Sequence, residues 1–307
     1  MKKVIIAGAS GFIGRALTQK LLKEDVEIFA VVRSRGEILE WQESTQLHII
    51  EAELSEYSRL AEKYQFNDID VFFHLAWEGT YGEYFKNYQM QMNNAVYSGD
   101  ALNAAIQFKT KKFIMASTIN IMEVIDYFGK SGIKPRYTCI YGASKLAAEM
   151  ICKTLAYQKG IEMNIALIAN SYGPGDRSKT IPNILISNLL KGKSPDLVEG
   201  DFLYDWVYID DIVAGLCAIA EKGENQKSYY VGNQKLRTFK EIAGQVRDIL
   251  APSVELRFGV YPDAMALDYR KVDIGALYRD TGYAVVSDFE KNILETANWV
   301  KTLDIKI

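Results

Sequence analysis

Within its first fourteen residues the chain lays down a short strand, a glycine turn and the start of a helix. Val4 to Ala7 is an apolar run rich in β-branched residues, and Leu17, Leu21 and Leu22 follow at helical spacing. Between them lies Gly8-Ala9-Ser10-Gly11-Phe12-Ile13-Gly14. So tight a turn needs residues that tolerate positive φ and let backbone approach a bound group closely, which is what glycine supplies. The free N–H groups and the dipole at the following helix start then favour an anion. A glycine triplet placed directly after a strand and before an amphipathic helix predicts a dinucleotide pyrophosphate site.

The same alternation continues downstream. Val26–Val32, His48–Ile50, Val71–Leu75, Phe113–Ala116 and Ile165–Ile168 read as further strands, and Tyr88–Ala105 and Tyr141–Gln158 as long helices. Apolar strands separated by helices predict a parallel sheet covered on both faces, wound in right-handed crossovers. The expected fold is therefore α/β, a doubly wound Rossmann-type sheet. After about Gly173 proline and glycine become denser and the alternation loosens. Residues 1–172 are expected to form the dinucleotide-binding domain. Residues 173–307 are read mainly as a smaller mixed α/β substrate lobe, with some segments returning to the main domain. Tyr229-Tyr230-Val231-Gly232 reads as a strand of that lobe.

Several function classes are disfavoured. A formal net charge of -3 gives no reason to expect nucleic acid or an anionic membrane as partner. No apolar run reaches membrane-spanning length, and glycines interrupt the start as a signal peptide. Cys139, Cys152 and Cys217 are an odd number without CxxC spacing, which predicts reduced thiols in a cytoplasmic protein. His48 and His74 are the only histidines and neither has ligand spacing, so no metal site is expected. No GxSxG elbow supports a serine hydrolase.

A carboxylate at the end of the second strand would hold the ribose hydroxyls of NAD. Val31-Val32-Arg33-Ser34-Arg35 has no acid there, and an arginine suits a 2′-phosphate through its planar fork. NADP is the expected cofactor, with NAD as the alternative. Tyr141-Gly142-Ala143-Ser144-Lys145 opens a helix with tyrosine and lysine one turn apart on one face. An adjacent ammonium is expected to bring the phenol, which titrates near 10 when free, toward a useful range. Upstream, the strand ending at Ser117-Thr118 offers a hydroxyl for a substrate carbonyl. His74 reads as structural, and Cys139 as packing near the site.

Taken in order, these motifs resemble the extended short-chain dehydrogenases, the NAD-dependent epimerase/dehydratase group that works mostly on nucleotide-linked sugars. The resemblance rests on GxxGFIG at Gly8–Gly14, on His74-Leu75-Ala76, and on Asn94 as the cofactor-side asparagine. It continues through Ser117-Thr118, Tyr141 to Lys145, the NxYGPGD of Asn170 to Asp176, and Asp205-Trp206-Val207-Tyr208-Ile209-Asp210-Asp211. It implies Thr118, Tyr141 and Lys145 as the catalytic set, with hydride passing to or from nicotinamide C4. The cofactor-binding set is then Gly8, Ser10, Gly11, Phe12, Ile13, Gly14, Arg33, Glu53, Leu54, Leu75, Ala76, Asn94, Tyr141 and Lys145. Trp77, Thr118 and Asn170 are the expected substrate contacts. The resemblance also implies a homodimer through the helices that hold Asn94 and Tyr141.

The departures bear on substrate. The family's arginine before the NxYGPG asparagine is Leu167 here, the one opening its R-D-F segment is Tyr204, and a later one is replaced around Tyr261-Pro262-Asp263. Arg177, Lys179, Arg257 and Arg270 are candidate substitutes. The family's sugar dehydratases carry Thr-Asp-Glu, whereas Thr118 is followed by Ile119-Asn120, so dehydration is disfavoured. The expected reaction is reduction of a 4-keto(-6-deoxy) nucleotide sugar. C4 epimerisation of a sugar nucleotide and reduction of a non-sugar carbonyl are the alternatives.

Overall fold

The computed structural model describes residues 1–262 and 267–303; Asp263, named above, lies outside them. The strands are β1 (Lys3–Ala7), β2 (Glu27–Val32), β3 (Leu47–Glu51), β4 (Val71–His74), β5 (Lys112–Thr118), β6 (Glu162–Ile168), β7 (Asn170–Tyr172), β8 (Leu203–Tyr204), β9 (Trp206–Tyr208), β10 (Ser228–Val231) and β11 (Arg237–Thr238). The helices are α1 (Phe12–Leu22), α2 (Leu60–Lys63), α3 (Tyr88–Gln107), α4 (Ile121–Tyr127) and α5 (Thr138–Lys159) in the first half. They continue as α6 (Ile181–Leu190), α7 (Ile209–Lys222), α8 (Phe239–Leu250), α9 (Ala276–Thr281) and α10 (Phe289–Lys301).

Seven parallel strands form one sheet in the order β10-β6-β5-β4-β1-β2-β3. Their sequences are near-continuous apolar runs because both faces are covered. One core cluster includes Val4, Ile6, Leu17 and Phe73, and the other Ile5, Phe72, Leu102 and Phe113. From β1 the chain winds outward through β2 and β3, then returns to β4 on the other side of β1. The carboxyl ends of β1 and β4 thus flank the topological switch point, where such sheets bind ligands.

One strand is not where the sequence reading put it. Tyr229–Val231 belongs to the main sheet, with Tyr230 opposite Leu167 and Val231 opposite Ile168 of β6. Tyr229, Tyr230 and Val231 are buried, so they need a strand to pair with and helices to cover them, which β6 and helices α7 and α9 provide. The phenol tips are satisfied by acids: Tyr229 donates to Asp280 at 2.8 Å and Tyr230 to Asp205 at 2.5 Å.

Outside the large sheet, β7 pairs with β9 in parallel and β8 with β11 in antiparallel fashion. These ribbons pack with α6, α8 and α10 around a core of their own that includes Leu185, Ile186, Trp206, Ile242, Val246 and Ile293. Phe12 and Ile13, at the start of α1, pack against that core. The glycine turn therefore sits where the two layers of the molecule meet.

Candidate active site

The glycine loop is as compact as a backbone allows. Gly8 has φ +82°, and a methyl on it would lie 2.7 Å from the Ala76 nitrogen. A methyl on Gly14 would fall on the Gly8 carbonyl oxygen and stand 2.8 Å from Ala9 Cα. The turn is tied to its neighbours by Gly8 and Ala9 N–H groups donating to Val31 O, and by Leu75 N–H donating to Ala7 O at 2.9 Å. Leu75 and Ala76 at the end of β4 are thus pressed against Gly8. Helix α1 follows Gly11 at its N-cap, with no side-chain cap and no acid in its first turn, so its leading N–H groups remain available to an anion. This cradle, which a single added methyl would fill, fits the diphosphate of a dinucleotide.

At the far end of the groove the structure supplies an acid that the segment Val31–Arg35 lacks. Ser34 caps a 3-10 turn at Arg35–Ile38, and the turn swings Glu37 back toward the glycine loop. Glu37 accepts a hydrogen bond from the Ser10 hydroxyl at 2.6 Å and ion-pairs with Arg33. Burial works to raise the Glu37 carboxyl, but the Ser10 hydroxyl and Arg33 together hold it below its ordinary value. Arg15 donates to Ser10 O at 2.8 Å and to the Glu37 carbonyl. Glu53 opens the 3-10 turn that begins at Leu54, just beyond β3, and its charge reaches Arg33.

Thr118, Tyr141 and Lys145 come together at the carboxyl end of β5. Helix α5 starts one turn earlier than the motif suggests, at Thr138. Thr118 stands close enough to Tyr141 for its hydroxyl to draw the phenol's pKa down, and Asn120 N–H donates to Thr118 Oγ1 at 3.3 Å. Lys145 Nζ donates to the Ala116 carbonyl at 3.0 Å and lies 3.8 Å from the centre of the Trp77 ring. Trp77 meets Tyr141 edge-on at 6.0 Å and is fixed by Nε1–H donating to Gln91 at 2.8 Å. Phe85, which motif reading did not single out, packs 5.0 Å from the Tyr141 ring; an aromatic residue in a loop carries no periodicity to mark it.

The electrostatics differ from the simple expectation. Burial dominates both members of the pair, pushing Tyr141 up to about 12, against the pull of the Thr118 hydroxyl, and Lys145 down to about 7. The ammonium stands 6.0 Å from the centre of the phenol ring and does not offset the desolvation. Tyr141 is consequently a neutral phenol at neutral pH. His74 is buried and held to about 3 by desolvation, with its Nε2 3.0 Å from Ser98 Oγ. Burial and the Glu123 contact push the Cys139 thiol up to about 11, so it is no nucleophile at neutral pH. Asn94 uses its amide to pin the loop after β4, bonding both backbone groups of Glu78 at 2.9 Å.

Asn170, an expected substrate contact, follows β6 and donates to Asp205 O at 2.9 Å. Arg257 is paired with Asp196, Arg270 with Asp268, and Arg177 lies over Trp299. The cation near Tyr204 is instead Arg136, whose charge acts on that phenol. Glu123, buried in α4, grips Arg136 through two hydrogen bonds of 3.0 Å. Leu167 lies in the core.

Residues 4–232 match the NAD dependent epimerase/dehydratase family. The dTDP-glucose 4,6-dehydratase of Salmonella typhimurium (strain LT2) is 22% identical over 97% of this chain and 92% of its own length. Among solved structures, UDP-glucuronic acid 4-epimerase from Bacillus cereus in complex with NAD superposes with TM-score 0.77. It is 23% identical and the match covers 98% of this chain and 99% of that one. DesIV, a dTDP-glucose 4,6-dehydratase from Streptomyces venezuelae with NAD and TYD bound, gives 0.76 at 21% identity, covering 98% and 97%. The chain belongs to the NAD-dependent epimerase/dehydratase family, enzymes of the extended short-chain dehydrogenase type.

Proposed function

We propose that the protein reduces a 4-keto-6-deoxy nucleotide sugar, with Tyr141 as proton donor. The observation that carries this reading is the Thr118–Tyr141 pair, set beside Ile119 and Asn120. Elimination of water needs carboxylates next to that hydroxyl. Here Ile119 is buried in the core and Asn120 bonds back to Thr118. Glu123, the first acid after Thr118 in the chain, is committed to Arg136. A bound dinucleotide supplies the hydride at nicotinamide C4. Tyr141, neutral at the start, gives its proton to the carbonyl oxygen, and Thr118 hydrogen-bonds the same oxygen as charge develops. Lys145 offers its ammonium to the phenolate left behind. Trp77 and Phe85 wall off this point from water and present apolar surface to the sugar.

For the cofactor we propose NADPH, held by Gly8, Gly11 and Gly14 at the diphosphate and by Arg33 at the 2′-phosphate, which must displace Glu37. That same carboxylate favours a second reading, C4 epimerisation with retained NAD, because an acid at the ribose end suits free hydroxyls. A homodimer fits the exposed apolar stripe of Tyr88, Met92 and Val96 on α3 and Met150, Ile151 and Tyr157 on α5, two helices packed side by side. No helix among the described residues is long and apolar enough to cross a membrane, and three free cysteines suit a reducing cytoplasm.

The deciding experiment incubates purified protein with nucleoside-diphosphate 4-keto-6-deoxyhexoses and with intact nucleoside-diphosphate hexoses. NADPH and NADH are compared for wild type and Arg33→Ala, following reduced-cofactor absorbance and product mass. The expected result is NADPH oxidation matched to loss of the keto sugar, with the preference over NADH narrowed in Arg33→Ala. Loss of a water mass from a hexose without net cofactor change refutes the reading. Interconversion of epimers without net cofactor use establishes the second one.

A further inference from the structure

Helix α5 grips the end of β5 at three consecutive residues, using three successive turns of one face. Tyr141, Lys145 and Glu149 are four residues apart, and all three are buried. Tyr141 lies beside the Thr118 hydroxyl, Lys145 donates to the Ala116 carbonyl at 3.0 Å, and the Glu149 carboxylate accepts the Ser117 hydroxyl. The motif accounts for the first two. The third is a carboxylate at 5% exposure, an expensive group to bury unless something opposite in charge needs it there.

We propose that Glu149 is a positioning residue for this chemistry: it fixes β5 through Ser117 and holds a buried carboxylate one helix turn from Lys145. The proposal rests on the Tyr141–Lys145 reading above. The groups that face Lys145 are few. From its own helix come Tyr141, Glu149 and Cys152, from β4 His74, and from the loop after β4 the Trp77 ring. His74 is neutral, and burial pushes the Cys152 thiol up to about 12, so it too is neutral. Among these groups Glu149 alone supplies an acid against the desolvation that pulls Lys145 down. Glu149 in turn is raised by burial and drawn back by Ser117, Lys153 and Lys145.

The sign follows. Lys145 loses its proton as pH rises, and the phenolate formed at Tyr141 then has no cation beside it, so the rate falls on the alkaline side. Removing the Glu149 charge lowers the Lys145 pKa, which moves that alkaline limb to lower pH. An opposite charge beside a buried group shifts it by about 1 unit or more.

The test measures the pH profile of kcat and the KM for the keto sugar in wild type, E149Q and E149D, with Y141F and K145M alongside. E149Q is nearly isosteric and still accepts the Ser117 hydroxyl. The expected result is a limb displaced by about one pH unit or more in E149Q, a sugar KM within about twofold of wild type, and a wild-type limb in E149D. An unchanged limb in E149Q overturns the proposal, as does an equal loss at every pH. If E149Q is recovered unfolded, E149D decides: reduced kcat on an unshifted limb supports the role, and a shifted limb overturns it. Full activity in Y141F or K145M would instead strike at the underlying reaction, and so is told apart from failure of Glu149 alone.

Discussion

Replacing Gly14 with alanine sets helix propensity against loop packing, and the loop decides the sign. Gly14 is the third residue of α1, and at an open helix position alanine is favoured over glycine by about 1 kcal/mol. Here the added methyl stands 2.8 Å from Ala9 Cα and 2.9 Å from the Gly8 carbonyl carbon, where carbon atoms prefer about 3.5–4.0 Å. Both neighbours are backbone, so no side chain can swing aside. Overpacking costs about 1–3 kcal/mol, and a backbone clash belongs at the upper end. The net loss is therefore about 2 kcal/mol, or a fall in Tm of about 3 °C. Relief of the clash drags the Gly8–Ala9 turn away from the start of α1, so cofactor affinity falls by about tenfold or more, each tenfold being about 1.4 kcal/mol. Gly244→Ala in α8 is the matched control, because a methyl there meets nothing within 4 Å. It should raise stability by about 0.5–1 kcal/mol and leave cofactor binding alone. Thermal melts and fluorescence titration with reduced cofactor read both quantities. A Gly14→Ala protein that melts at or above wild type and binds cofactor with unchanged Kd refutes the reasoning.

Two further outcomes are expected. Tyr141→Phe removes the proton donor while leaving the glycine loop intact, so turnover falls by about 10²-fold or more with cofactor Kd nearly unchanged; steady-state kinetics beside the same titration checks this. Met92→Glu places a charge in the exposed stripe of α3, and sedimentation should show a dimeric wild type becoming monomeric while circular dichroism stays that of the folded protein.

Much of the frame was legible because it is written in local spacing. A β-branched run, a glycine turn and an amphipathic helix are each decided within a few residues, so β1, the loop and α1 follow from the order of amino acids. Tyrosine and lysine four apart share a helix face wherever that helix lies. The parallel sheet follows from apolar strands alternating with helices, since such strands need cover on both sides.

What the tertiary structure alone decided are the pairings between residues distant in the chain. Tyr229–Val231 joined the main sheet because the edge of β6 and helix α7 could bury it, a partner no local pattern names. Glu37 lies only four residues beyond Arg33, yet its place against Ser10 depends on the turn that Ser34 caps. Ser117 and Glu149, and Lys145 and Trp77, meet only because the sheet brings their elements to one edge. The protonation states follow from the same cause: spacing puts an ammonium one turn from a phenol, but desolvation sets which of them holds a proton, and desolvation is a property of everything packed around them.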